Sequence, residues 1–181
     1  MNVIKTKIDG LLIIEPDVFG DDRGYFFESF NEKKWSACFE NPPVFVQDNE
    51  SLSHKGVLRG LHFQSPPHSQ AKLVRVVKGA VLDVAVDIRS GSPTYGQHFS
   101  VHLSEENKKQ FFIPEGFAHG FVTLEDNTIF TYKCTDFYNV QSEGGLSYND
   151  PILNIDWGIE SPLISEKDRK YIEFNNFTTP Y

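Results

Sequence analysis

The sequence predicts an all-β sandwich or barrel, and three observations carry that reading: apolar residues recur with period two in several short segments, turn residues separate those segments, and 16 Phe and 7 Tyr in 181 residues favour sheets. From Val81 to Ile88, Leu82, Val84, Val86 and Ile88 fall on one face and Asp83, Ala85 and Asp87 on the other, the pattern of a half-buried strand. Phe99, Val101 and Leu103 alternate with Ser100, His102 and Ser104 in the same way. Further strands are predicted at 44–48, 57–64, 71–78, 110–113, 117–124 and 128–135, most of them bounded by turns such as Ser90-Gly-Ser-Pro93 and Glu125-Asp-Asn127. Helices are few and short. The segment 31–38 opens on Asn31, a favoured N-cap, and 165–171 sets Ser165 three residues before the carboxylate of Asp168. No linker, repeat or low-complexity tract divides the chain, so one domain over 1–181 is expected, large enough to bury roughly 70% of its unfolded surface.

Bulk properties exclude several function classes. A net charge of −8 without any basic run opposes nucleic-acid binding, which needs Lys and Arg to neutralise phosphates. No stretch approaches the ~20 apolar residues of a membrane helix, and the apolar run near the N-terminus is too short for a signal-peptide core. We therefore expect a cytoplasmic protein without a membrane partner. Cys38 and Cys134 form no CxxC pair and no disulfide framework. GxGxxG, GxxxxGK[ST] and GxSxG are all absent, which leaves dinucleotide folds, P-loops and nucleophile elbows without support.

Polar residues inside apolar segments point to a pocket. Arg59 and His62 lie in Gly56-Val-Leu-Arg59-Gly60-Leu-His62-Phe-Gln64, where burying charge is costly and needs repayment. His119 lies among aromatics in Ile113–Phe121, and Lys72 enters an apolar strand. Strict alternation from Val57 to Gln64 places Arg59 and His62 on opposite faces. Either Gly60 marks a bulge that shifts the phase, or Arg59 reaches a site on another chain. Two histidines fall short of the three or four ligands a transition metal takes, so no metal is expected.

Pro114-x-Gly116-x-x-His119 fits the second motif of the cupin barrels, whose first motif, a His-x-His pair, reads His62-Phe-Gln64 here. Together with Phe19-x-Asp21-x-Arg23-Gly24-Tyr-Phe26-x-Glu28, Gln47-Asp48-Asn49, Arg59-Gly-Leu-His62-Phe-Gln64, Gln70-Ala-Lys72, Tyr132-Lys133-x-Thr-Asp-x-Tyr138 and Leu163-Ile-Ser-Glu-Lys167-Asp168, this makes the chain resemble the dTDP-4-dehydrorhamnose 3,5-epimerases, metal-free cupin enzymes. The resemblance implies a cupin-type jelly-roll β-barrel with a few short peripheral helices. It further implies a dTDP-sugar substrate, no cofactor, and a homodimer that exchanges N-terminal strands.

In a 4-keto hexose the hydrogens on C3 and C5 flank the carbonyl, so a base can remove either if the developing enolate oxygen is stabilised, and inversion then needs an acid on the other face. Imidazole titrates near pH ~6.5 in water, which makes His62 a natural base, and the family's base matches it. Lys72 would supply positive charge to the oxyanion. Tyr132 is the acid that the resemblance implies, since a phenol with a pKa of about 10 keeps its proton until one is demanded. Asp168 either orients His62 as a dyad partner or merely favours the first turn of a helix. His119 contacts substrate or packs the barrel; Tyr132 and Lys72, taken alone, read equally as a packed aromatic and a snorkelling strand end. Arg23, Glu28, Gln47, Asp48, Asn49, Arg59, Glu143 and Lys167 coincide with the family's substrate-binding positions, arginines being suited to a diphosphate, and Phe19 and Tyr138 are candidates to stack on thymine. Otherwise Arg23 and Glu28 would be an exposed ion pair, and 47–49 a polar strand end.

Overall fold

A computed structural model describes residues 1–181. Its strands are β1 (Asn2–Lys5), β2 (Leu12–Glu15), β3 (Phe19–Asp21), β4 (Gly24–Phe26), β5 (Gln47–Ser53), β6 (Val57–Gln64), β7 (Lys72–Lys78), β8 (Ala80–Asp87), β9 (His98–Ser104), β10 (Gln110–Ile113), β11 (Phe117–Thr123), β12 (Thr128–Cys134), β13 (Glu143–Gly145) and β14 (Leu163–Ile164). One six-stranded sheet runs β1-β2-β10-β7-β12-β5 and a second β13-β6-β11-β8-β9, with β14 alongside β6; β3 and β4 form a separate hairpin. The two sheets face each other as a jelly roll of the cupin type. Non-sequential strand neighbours such as β10-β7 and β6-β11 carry that topology.

The core between the sheets is built from alternate residues of both: Val74, Val76, Phe111, Ile113 and Phe130 from the first, Val81, Ala85, Phe117 and Phe121 from the second. A second apolar layer lies on the outer face of the second sheet, where Leu58, Leu61, Val84, Val86 and Ile88 are covered by Leu146, Leu153, Trp157, Phe174 and Phe177. The half-buried reading of 81–88 is therefore corrected. Both faces of β8 are buried, because the segment after β13 lies across the side that alternation assigns to one of them.

Two further expectations shift. Strand 44–48 becomes β5 at 47–53, and Val44 to Val46 precede it without regular structure. The inward positions of β5 are Gln47, Asn49, Ser51 and Ser53, polar where a core strand would be apolar, so periodicity could not find it. The helix at 31–38 is realised as α1 (Glu32–Ser36), capped by Asn31, whose Oδ1 accepts from the Lys34 amide at 3.1 Å, and anchored by buried Trp35. The one at 165–171 is a single 3-10 turn, Asp168–Lys170.

Candidate active site

Gly60 resolves the phase problem of β6. Against β11, His62 pairs with His119 but Arg59 pairs with Phe121, so β6 carries one extra residue and both polar side chains turn inward. Gly60 has φ +129, and a Cβ there would sit 2.5 Å from the Gly120 Cα, so the close approach of β6 and β11 admits only glycine. The outward residues Leu58, Leu61 and Phe63 keep the complementary phase. Arg59 donates through Nε to Ser53 Oγ at 3.1 Å.

The two sheets open at one end into a cleft of about 150 Å³ lined by His62 from the second sheet and by Gln47, Asn49, Lys72 and Tyr132 from the first, with Tyr138 and Glu143 at its rim. An adjoining hollow shares His62 and is lined by Arg59, Lys167 and Asp168. His62 Nε2 lies 2.8 Å from Asp168 Oδ1, while Asp168 Oδ2 accepts from the Gly60 amide at 3.2 Å. Ser165 Oγ accepts from the Asp168 amide just ahead of the 3-10 turn, whose N-cap position is Lys167, while the Asp168 carboxylate itself is bonded to the imidazole. Burial pushes the Asp168 pKa up, yet the interactions with His62, joined by those with the Gly60 amide and Ser165, together outweigh this and leave it below the usual carboxylate value. An ionised carboxylate only accepts, so Nε2 carries the proton and Nδ1 keeps a free lone pair.

Lys72 makes no hydrogen bond or ion pair, and loss of solvation pulls its pKa down although Cys134, Asp83 and Glu143 pull it up. Burial likewise raises the pKa of Tyr132, which shares the inward face of β12 with Phe130. At the rim, Lys167 pairs with Glu143, whose Oε2 accepts from the Tyr138 hydroxyl at 3.0 Å; the Tyr138 amide donates to Gln47 Oε1 at 3.0 Å. Partial burial raises Glu143, but the Lys167 and Tyr138 bonds prevail and lower it.

Other expected site residues lie elsewhere. His119 is buried behind the cleft, its Nε2 2.9 Å from both oxygens of Asp83, and loss of solvation lowers its pKa despite that carboxylate. Asp48 points to the outer face and accepts from Lys133 Nζ at 2.8 Å, because alternation along β5 turns it away from Gln47 and Asn49. Phe19, Arg23 and Glu28 do not line the cleft of their own chain. Nor do Arg23 and Glu28 pair with each other: Arg23 pairs with Asp21 and Glu28 with Lys34. Sequence reasoning missed the Asp83–His119 pair and the Tyr171 ring, 5.6 Å from that of His62. No group of three or more His, Cys, Asp or Glu side chains converges closely enough to hold a metal ion.

The model of the dTDP-4-dehydrorhamnose 3,5-epimerases matches residues 5–176. The chain belongs to the dTDP-4-dehydrorhamnose 3,5-epimerase family. A family member from Shigella flexneri is 53% identical over 98% of this chain and 99% of its own length. Among solved structures, a dTDP-6-deoxy-D-glucose-3,5-epimerase from Legionella pneumophila in complex with dTDP-4-keto-L-rhamnose superposes with a TM-score of 0.94 at 53% identity, covering 98% of this chain and 94% of that one. A 3'-monoepimerase from Streptomyces bikiniensis in complex with dTDP-quinovose is similar at 33% identity and a TM-score of 0.89, covering 93% and 85%.

Proposed function

We propose that the protein inverts C3 and C5 of dTDP-4-dehydro-6-deoxy-D-glucose to give dTDP-4-dehydro-β-L-rhamnose, by base and acid chemistry through an enolate. The observation that carries this reading is that His62 and Tyr132 enter one cleft from opposite sheets, with the unpaired Lys72 amine beside them. His62 Nδ1 takes the hydrogen from carbon, and its Nε2–H bond to Asp168 stabilises the imidazolium that results. Lys72 faces the enolate oxygen; removing one such donor costs ~2.7–4 kcal/mol in comparable sites. Tyr132 returns a proton from the opposite face. Gln47, Asn49, Glu143, Lys167 and Tyr138 at the rim hold the nucleotide, and Arg59 reaches a phosphate.

A homodimer completes the site. Phe19, Tyr25 and Phe26 on the β3–β4 hairpin are 66%, 59% and 66% exposed, a cost for a lone chain. A second copy that received this hairpin would gain Phe19 as a stacking ring and Arg23 and Glu28 as polar contacts. His119 and Asp48 are assigned as indirect supports, the first behind Lys72 and His62, the second through Lys133.

Turnover in deuterated water tests the reaction. Label at both C3 and C5 is expected; label at one carbon would replace this reading with epimerisation at a single centre, as for the 3'-monoepimerase from Streptomyces bikiniensis. Binding without any label would make the chain a sugar-nucleotide binding module.

A further inference from the structure

Tyr171 follows the 3-10 turn that carries Asp168, and its ring stands edge-on to His62, centroids 5.6 Å apart and planes at 68°. The slot it occupies exists because β13 has a glycine there. Gly145 is the cross-strand partner of His62, and a Cβ on it would lie 2.5 Å from Tyr171 Cζ and 2.6 Å from the Leu61 carbonyl oxygen of β6. Ser147 fixes the next residue, its amide donating to the Ile172 carbonyl at 2.8 Å, and Leu146 bridges Ile172. The hydroxyl of Tyr171 is buried and makes no hydrogen bond. Burial, with Glu143 and Asp168 nearby, pushes its pKa up to about 12 even though Lys167 lies alongside, so it stays a neutral phenol. The polar group beside its oxygen is the Lys167 ammonium, and what Tyr171 sets against His62 is its ring.

We infer that Tyr171 is a positioning residue: together with Gly145 it forms a wall that holds the His62 imidazole in the plane where Nε2 meets Asp168 and Nδ1 faces the cleft. A carboxylate alone does not achieve this, because one hydrogen bond leaves the ring free to rotate about it. The edge-to-face contact restrains that rotation. This rests on His62 being the base, but its structural half can be read without substrate.

The test compares Tyr171→Leu, Tyr171→Phe and Gly145→Ala in the full-length protein. Imidazole nitrogen NMR of the ligand-free protein reads the His62 tautomer. The Nε2–H form should dominate in the parent and in Tyr171→Phe, whereas Tyr171→Leu and Gly145→Ala should give mixed tautomers. In turnover, kcat for Tyr171→Leu should fall on the order of 10- to 100-fold, the cost of an ångström-scale misplacement, with KM within about twofold. Tyr171→Phe should retain most of the rate. Thermal unfolding identifies any variant that has simply lost its fold, and the remaining two then decide. An unchanged tautomer in a folded Tyr171→Leu or Gly145→Ala protein would overturn the inference, and so would a Tyr171→Phe protein as impaired as Tyr171→Leu. A tautomer shift in a protein that never labels C3 or C5 would instead keep the wall and discard the epimerase reading.

Discussion

At the level of single residues, the proposed chemistry rests on groups kept out of their ordinary partnerships. Lys72 enters an apolar face with no counter-ion bonded to it, and His62 spends one nitrogen on Asp168 and leaves the other without a protein partner. Replacing Asp168 with Asn leaves the shape but removes the charge that holds the tautomer, so kcat should fall on the order of 10³-fold while dTDP affinity changes little, as measured by titration calorimetry beside turnover. The two proton-bearing groups of the first sheet also shift in opposite directions: burial raises the Tyr132 phenol and lowers the Lys72 ammonium, whose charge the proposed oxyanion contact needs. The alkaline limb of kcat should accordingly fall below the usual lysine range. It should keep its position in any residual activity of Tyr132→Phe, and a limb that vanished with Tyr132 would reassign it to the phenol.

Among elements, the β6 bulge is the point where local backbone decides the site. Gly60→Ala adds a Cβ against Gly120 at positive φ, which should cost more than about 1 kcal/mol of stability and rotate Arg59 or His62 out of the cleft, visible as a lowered Tm with loss of turnover. Alternation along the sequence put two polar residues on incompatible faces with a glycine between them and left two answers, a bulge at Gly60 or an Arg59 that serves another chain; the register of β6 against β11 shows the bulge. Apolar strands β7 to β12 were legible from their short apolar runs between turn residues, although alternation understated the burial of β8, whose two faces are both covered. β5 was legible only at its first residues, since its inward side chains are polar: Gln47 and Asn49 line the cleft, and Ser51 and Ser53 continue the same face. The Asp83–His119 pair was not legible, because 36 residues separate partners that only the adjacency of β8 and β11 brings together. Asp168 was ambiguous from sequence because one serine three residues earlier suits both roles; the fold satisfies both, with Ser165 on the amide and His62 on the carboxylate.

For the whole molecule, stability and assembly lead to separate expectations. Asp87 is buried, bonded to Arg89, Ser92 and Thr94, and those bonds lower its pKa from 3.8 to about 2 although burial opposes them. A carboxylate depressed on folding contributes fully above its unfolded pKa and loses that contribution as the pH falls toward the folded one. Acid titration of the unfolding free energy should therefore lose about 2 kcal/mol between roughly pH 4 and pH 2, a loss absent in Asp87→Asn. If hairpins are exchanged between copies, Arg23→Ala and His62→Ala proteins, each impaired alone, should regain activity when unfolded and refolded together, since one mixed cleft then has both groups intact. No recovery would place Arg23 outside the cleft in the assembly as well. The hydrophilic inner side of β5 has a last implication: Ser51 keeps a buried hydroxyl without a partner, and Asn49 accepts from Gln47 Nε2 at 3.1 Å while its own amide finds only the Cys134 sulfur, at 3.6 Å. Valine at either position would pack better than what is there, so a library screened for heat resistance alone would enrich greasy replacements along this edge and drift toward a sturdier barrel with nothing left to grip a sugar.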